Sequence, residues 1–333
     1  MPKETGDIMK RAGIIGLGYY VPEKVLTNKD LEQMVETSDE WIIKRTGIKQ
    51  RRISAKNEYS AEMGTKAAQK AIENAKINPE DIDLVICATT TPDYFTPSNA
   101  CIIQKNINAV NAAAIDINSA CTGFVSACIT AQQFIENGYY KTVLVVAAEA
   151  LSEITDFNDR KTCILFGDGA GAAVLAACDK GGIIQSHMGA KGNLGHNITA
   201  LAVRKDADED AKRLSHDGRY LWMDGSEVLK FAVRAMTNAT NKLMADAGLT
   251  VDDIDCLVPH QANVRIIDGA VKRLGIDPKK VFVNIESYGN MAAASVPVAL
   301  CEAMERGKIK KGDKVVIVSF GGGLTWGAVL IEM

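Results

Sequence analysis

The chain carries a weak internal repeat, and that repeat limits the folds open to it. Asp81-Ile-Asp-Leu-Val-Ile-Cys-Ala88 has a counterpart in Asp253-Ile-Asp-Cys-Leu-Val-Pro259, at an offset of 172 residues. A helical pattern opening at Cys121 ends near Asn137-Gly138 and leads into the apolar run Thr142–Ala147. A second, opening at Asn290, ends near Arg306-Gly307 and leads into Lys314–Ser319. Cys121 to Asn290 and Gly138 to Gly307 are both offsets of 169. Three nearly equal offsets predict a duplicated β–α unit, with Cys121 and Asn290 at equivalent positions. The strands read as continuous apolar runs instead of alternating ones, the pattern of sheets covered on both faces by helices. Helices are expected over about 60–75, 98–106, 121–137, 225–247, 262–274 and 291–306. The expectation is a layered α/β fold with two related sheets and an active site between the halves. No linker rich in Pro, Gly or Ser divides it. The expected division is a flexible tail over 1–11 and halves over 12–180 and 181–333 that fold as one body.

Three strand-to-helix corners carry reactive side chains. Ala114-Ile-Asp-Ile-Asn-Ser-Ala-Cys121 runs from a strand into a small-residue turn and then a helix. A thiol at a helix N-terminus meets free N–H groups and the helix dipole, which favour the thiolate, the form that attacks carbonyls. Alone this is weak, because most buried cysteines are inert. Val258-Pro-His260-Gln-Ala-Asn263 and Ser287-Tyr-Gly289-Asn290 occupy two further corners. In open α/β sheets such corners converge at the carboxyl ends of the strands, where ligands bind. Cys121, His260 and Asn290 therefore form the candidate catalytic set.

Composition narrows the class. A chain of 333 residues with 47% hydrophobic and 24% charged residues is an ordinary globular protein, not a disordered one. No apolar run reaches the roughly 20 residues of a membrane span, and the polar start Met1–Arg11 has no secretory apolar core. Eight scattered cysteines, with no zinc-ligand spacing, read as reduced thiols in a cytoplasmic protein, with no metal site expected. A net charge of −3 gives no general case for nucleic acid, so an acidic partner must meet a local basic face. Lys230 with Arg234, and Arg265 with Lys272 and Arg273, supply candidates beside the His260 corner.

Other motifs read as structure. Gly321-Gly-Gly323 after a strand is a hairpin turn whose backbone N–H groups also approach the site. Gly16-Leu-Gly18 lacks the third glycine of a dinucleotide loop and reads as a turn. Phe166-Gly-Asp-Gly-Ala-Gly171 lacks a phosphate loop's Lys-Ser/Thr ending and reads as a tight turn before a strand. The charged stretch Val203–Arg213 reads as an exposed loop.

With these residues placed, the chain from about residue 12 onward resembles the thiolase-like superfamily, and specifically the β-ketoacyl-[acyl carrier protein] synthase III family. The resemblance rests on Thr37-Ser-Asp-Glu-Trp-Ile-Ile-Lys-Arg-Thr-Gly-Ile48, Phe166-Gly-Asp-Gly-Ala-Gly171, Val258-Pro-His-Gln-Ala-Asn263, Tyr288-Gly-Asn290 and Phe320-Gly-Gly-Gly-Leu-Thr-Trp-Gly327. The Cys/His/Asn set differs from that of thiolases, which use a second cysteine, and of elongating synthases, which use two histidines. The resemblance implies a duplicated α-β-α-β-α fold with two related mixed sheets. It implies the initiating condensation of fatty-acid synthesis, joining an acyl-CoA primer to malonyl-acyl carrier protein through an acyl-cysteine. No cofactor is implied, because acyl-CoA is a substrate. An O- or N-acyltransferase, a quinolone- or polyketide-type condensing enzyme, and a non-catalytic acyl-carrier binding protein remain alternatives.

Carried over by residue, the resemblance makes Cys121 the acylated nucleophile, its N–H and that of Gly322 an oxyanion hole, and His260 and Asn290 donors to the malonyl thioester carbonyl. Phe320 shields the site. Trp41, Arg45, Arg160 and Asn263 hold coenzyme A, while Lys230 and Arg265 dock the carrier protein. The family is homodimeric, and residues 90–97 reach the neighbour's acyl pocket. Two departures stand out. Met291-Ala292 replaces Thr-Ser after the asparagine, which implies a packing change. Thr96 replaces a phenylalanine, which implies room for branched or longer primers unless Phe95 takes its place.

Overall fold

The computed structural model describes residues 10–201 and 220–333, so Val203–Arg213 and the first nine residues of the expected tail lie outside the described residues. In chain order, β1 (Arg11–Tyr20) precedes a small ladder of β2 (Val25–Thr27) and β3 (Gln50–Arg52), with α1 (Asn28–Leu31) and α2 (Asp39–Thr46) between its strands. There follow α3 (Ser60–Ala75), β4 (Leu84–Ala88), α4 (Asn99–Asn106), β5 (Ala113–Ile117), α5 (Gly123–Glu136), β6 (Thr142–Ala150) and β7 (Asp168–Cys178). Next are β8 (Gly182–Ala190), the short pair β9 (Ile198–Thr199) and β10 (Trp222–Met223), and α6 (Gly225–Asp246). The rest is β11 (Cys256–Pro259), α7 (Val264–Leu274), α8 (Ile285–Tyr288), α9 (Ser295–Glu305), β12 (Lys314–Gly321) and β13 (Thr325–Glu332).

Two sheets of the same plan result. One has the order β1-β7-β6-β4-β5; the other has β8-β13-β12-β11, with Val281 bridging to Leu257 where a fifth strand would stand. Both are mixed: β4 runs parallel to β5 and β6, and β11 parallel to β12, while the remaining pairs are antiparallel. α5 and α9 are apolar almost all round, and such a helix must be buried on every side. They form the middle layer, sharing one core with Val145 and Leu175 of the first sheet and Val315 and Val329 of the second. α3 and α4 cover the outer face of the first sheet, and α6 and α7 that of the second. The expected α-β-α-β-α fold is the one observed.

Two sequence readings change. Gly16 and Gly18 are not in a turn but inside β1, where a Cβ would lie 2.3 Å from Ala71 O and 2.4 Å from Ala71 N respectively. They are glycines because the α3 backbone rests directly on this strand. The repeat also slips. α5 and α9 start 172 residues apart, at Gly123 and Ser295, but α9 is three residues shorter, 11 against 14. Matching the helix ends gives 169; matching their starts places Ala293, not Asn290, opposite Cys121.

Candidate active site

Cys121, His260 and Asn290 line one cavity of about 1500 Å³ at the carboxyl ends of the strands of both sheets. Cys121 lies in a 3₁₀ turn, Ala120–Thr122, that precedes α5. Ala120 has φ +49°, a left-handed conformation costing a non-glycine residue about 1–2 kcal/mol. The surroundings hold the turn there. Ser319 Oγ donates to Cys121 O at 2.7 Å, and the Thr122 and Thr325 hydroxyls bond to each other at 2.9 Å. A Cβ at Gly321 would lie 2.7 Å from Cys121 N, so only glycine lets the end of β12 approach the nucleophile's backbone this closely. Gly322, the next residue, lines the same cavity.

The thiol is not poised as a thiolate. Burial pushes Cys121 up to about 12, the Glu149 charge adds to the rise, and only the residue's own N–H lowers it. Desolvation thus works against the thiolate that the helix terminus favours.

His260 follows β11 and donates its backbone N–H to Val318 O at 2.8 Å. Its ring meets Phe320 edge-on, 5.4 Å between centroids. The residue is 1% exposed, and neither ring nitrogen has a hydrogen-bond partner among the described residues. Burial pulls its pKa down to about 3, so the imidazole is neutral, with one donor and one acceptor. Buried polar atoms without partners are costly; in a cavity wall they fit a ligand's polar atom.

Asn290 is clamped by its backbone, N–H to Leu165 O at 2.8 Å and O from Gly167 N–H at 3.0 Å. Gly289 before it has φ +67°, and a Cβ there would meet Leu165 O at 2.7 Å. The Asn290 Oδ1 accepts from Ala292 N–H at 2.9 Å, which fixes the amide orientation and leaves Nδ2 as the remaining donor. Met291, the departure noted above, is buried in the central core.

The other candidate residues divide. Trp41 and Arg45 of α2 line the cavity, with the Arg45 guanidinium 5.4 Å from the indole centroid. Arg160 is outside the lining, but its guanidinium stacks on Trp41 at 5.1 Å and donates to Glu36 O. Asn263 lines the cavity and caps α7, accepting from Arg265 N–H at 2.9 Å. Lys230 and Arg265 both border the cavity, and Lys230 pairs with Glu227 at 2.6 Å. Thr96 is the outlier. It is exposed and outside the lining, whereas Tyr94 and Phe95, 60% and 78% exposed, belong to it. Phe95, the aromatic one position earlier, thus borders the chain's own cavity where Thr96 does not.

The Phe166–Gly171 motif proves structural: Asp168 opens β7 and accepts from Ser54 N–H, Ser152 N–H and Ser152 Oγ. Sequence reasoning missed two buried groups. Arg51, fully buried, holds Ile164 O at 2.8 Å and Asn28 Oδ1 at 2.9 Å, bracing the wall that carries Leu165. Glu149, fully buried at the end of β6, holds the threonines that follow β4. A lone carboxylate closing an apolar strand was the available signal. Among the described residues no cluster of three or more His, Cys, Asp or Glu side chains could hold a metal ion, and no helix is long and apolar enough to cross a membrane.

Comparison with known proteins gives this geometry its context. Residues 115–192 match the model of 3-oxoacyl-[acyl-carrier-protein (ACP)] synthase III, and residues 244–333 that of its C-terminal domain. The chain is 50% identical over 327 residues to β-ketoacyl-[acyl-carrier-protein] synthase III of Clostridium acetobutylicum, covering 97% of this chain and 99% of the relative. It is 51% identical over 322 residues to the enzyme of that name from Clostridioides difficile, covering 97% and 98%. The crystal structure of 3-oxoacyl-[acyl-carrier-protein] synthase III from Aquifex aeolicus superposes with a TM-score of 0.90 at 46% identity, covering 97% of this chain and all of that one. Fold and site thus define a thiolase-like condensing enzyme of the acyltransferase type. Within that class, the chain belongs to the β-ketoacyl-[acyl-carrier-protein] synthase III family.

Proposed function

We propose that the protein performs the initiating condensation of fatty-acid synthesis, joining an acyl-CoA primer to malonyl-acyl carrier protein with loss of CO₂. The carrying observation is that a thiol, a neutral imidazole and an oriented amide donor share one cavity. In the first stage Cys121 attacks the acyl-CoA carbonyl, its proton leaving with the coenzyme A thiol. The tetrahedral oxyanion is met by the N–H groups of Cys121 and Gly322. The attacking form is the thiolate, which the desolvated site carries only until the uncharged thioester has formed. In the second stage, His260 and Asn290 donate hydrogen bonds to the malonyl thioester carbonyl. The enolate left by departing CO₂ is stabilised there and attacks the acyl-cysteine, while Phe320 shields the centre.

The His260 environment favours this reading over acyl transfer to oxygen or nitrogen. Such transfer needs a base for the acceptor, and an imidazole with a pKa of about 3 is a poor one. Loss of CO₂ creates the carbanion without a base, and the reaction needs no cofactor. Trp41, Arg45, Arg160 and Asn263 are proposed to hold coenzyme A at the entrance, and Lys230 and Arg265 to dock the acidic carrier protein. We assign the chain to the cytoplasm, with the nucleophile in the half 12–180 and its donors in 181–333. A homodimer is the proposed assembly: β5 is an edge strand with Ala113, Ile115 and Asp116 exposed beside the fully buried β4, and an unpaired edge invites a second copy. In that dimer the tip of the loop 90–97, whose first residues border the chain's own cavity, also reaches the neighbour's.

Incubating the protein with acetyl-CoA and malonyl-carrier protein tests the proposal. Formation of 3-ketoacyl-carrier protein, with an acetyl adduct on Cys121 that Cys121→Ala lacks, is expected. A protein that takes up acyl groups but transfers them only to alcohols or amines would overturn it.

A further inference from the structure

Glu149 has no part in the reaction just described, yet it is the buried carboxylate nearest that chemistry. It is 0% exposed, and burial lifts its pKa to about 7. One oxygen, Oε2, takes every hydrogen bond. Thr90 N–H lies at 3.0 Å, Thr90 Oγ1 at 2.8 Å, Thr91 Oγ1 at 3.0 Å and Thr89 Oγ1 at 3.4 Å. Oε1 makes no hydrogen bond of ordinary geometry among the described residues, although the Ala293 N–H lies toward the carboxylate. The donors to Oε2 therefore all come from one segment, where β4 ends and the cavity wall begins. Thr90, Thr91, Tyr94 and Phe95 of that wall line the same cavity as Cys121. The far side of the segment is tied separately, by Ser60 Oγ to Thr91 O and by Asp93 Oδ1 to Ala61 N–H.

A buried carboxylate is a costly way to fill space that a leucine would fill better. Its cost makes sense where a chain turn must be held in one geometry. We propose that Glu149 is a positioning residue that latches the Thr89-Thr90-Thr91 turn, fixing the wall from Thr90 to Phe95 against the acyl group on Cys121 and so setting primer selectivity. The selectivity part rests on the condensing-enzyme reading; the latch does not.

Two measurements separate them. Amide hydrogen exchange on the unliganded protein reads the latch alone. Glu149→Ala should speed exchange of the Thr90 and Thr91 amides at least tenfold, leaving Leu84–Ala88 of β4 unchanged. Equal exchange in mutant and wild type, or uniform acceleration throughout the chain, overturns the latch. The ratio of kcat/KM for Cys121 acylation by acetyl-CoA and isobutyryl-CoA reads selectivity. A ratio is insensitive to the fraction of folded protein, so a merely structural role would not move it. Glu149→Ala and Thr90→Val should each shift it at least fivefold, and Glu149→Gln, which keeps an acceptor of the same shape, should stay within twofold of wild type. An unchanged ratio in Thr90→Val, which keeps the carboxylate and folds independently of its removal, overturns the selectivity role. A wild type that no acyl-CoA acylates overturns it together with the condensing-enzyme reading, while the exchange data still decide the latch.

Discussion

Replacing Asn290 by alanine separates the two stages of the reaction. The side chain has two jobs in the structure: Oδ1 accepts from Ala292 N–H at 2.9 Å, and Nδ2 is left to donate into the cavity. Alanine removes both. Losing the acceptor leaves a buried N–H unpaired, worth about 1–3 kcal/mol of stability. Losing the donor removes one of the two hydrogen bonds proposed for the enolate, worth about 10²–10³ in rate, or roughly 3–4 kcal/mol of barrier. Acylation of Cys121 uses neither, because its oxyanion donors are backbone groups. Asn290→Asp separates the jobs further: it keeps the acceptor for Ala292 and replaces the donor by a carboxylate whose charge opposes the enolate. Acyl transfer should be followed as the acetyl adduct on Cys121 by quenched-flow mass spectrometry, and the second stage as CO₂ release from malonyl-carrier protein. In Asn290→Ala the adduct should form within about threefold of the wild-type rate while CO₂ release falls 10²–10³-fold. Asn290→Asp should show at least the same loss of CO₂ release. Equal losses in both stages, in a protein that melts as wild type, would refute the assignment of Asn290 to the enolate.

Three further outcomes are expected. Arg265→Ala should raise KM for malonyl-carrier protein at low salt and lose most of that effect at high salt, since the Debye length is about 10 Å at 0.1 M; an unchanged KM at low salt would make Arg265 an ordinary surface charge. Phe95→Ala should shift kcat/KM toward octanoyl-CoA over acetyl-CoA by about tenfold, within the roughly 1–3 kcal/mol of pocket contacts, whereas Thr96→Phe should change it less than threefold; the reverse ranking would return pocket control to position 96. Burial raises Glu149 from 4.5 to about 7, so across that range the folded chain keeps a proton the unfolded chain has released. This group's contribution should therefore lower stability as pH rises from 4.5 to about 7, then level off; Glu149→Gln should remove a slope worth up to about 3 kcal/mol in urea unfolding, and an identical pH profile would show the carboxylate to be ionised throughout.

How far the sequence could be read depended on whether a property is periodic or spatial. The sheets and central helices were legible because continuous apolar runs such as Val143–Ala147 and Val315–Val318 fit only buried strands. Cys121, His260 and Asn290 were legible as corners, and the cavity contains all three. Gly16 and Gly18 were misread because a glycine needed for close helix packing looks the same in sequence as one needed for a turn. Glu149 and Arg51 passed unnoticed because their partners, Thr90 and Ile164, are 59 and 113 residues away. The Cys121 ionisation was only half legible for a related reason. The helix start is written in the sequence, while the burial that opposes it belongs to the assembled site.

The corrected repeat also explains why a duplicated chain has one reactive centre. At the offset of 172 set by the helix starts, Cys121 pairs with Ala293, Gly321 with Glu149, and His260 with Ala88. The productive centre therefore draws its thiol from one half, and its close-packed glycine strand and imidazole from the other. In the mirrored arrangement all three are changed. A carboxylate stands where glycine would let backbone meet backbone, alanine replaces the thiol, and another alanine replaces the histidine. The same carboxylate already adds to the rise in the Cys121 pKa. Glu149 thus stands where a second centre would need glycine, and its Oε2 holds the threonines after β4 instead. The two halves share a fold but divide the labour of a single site.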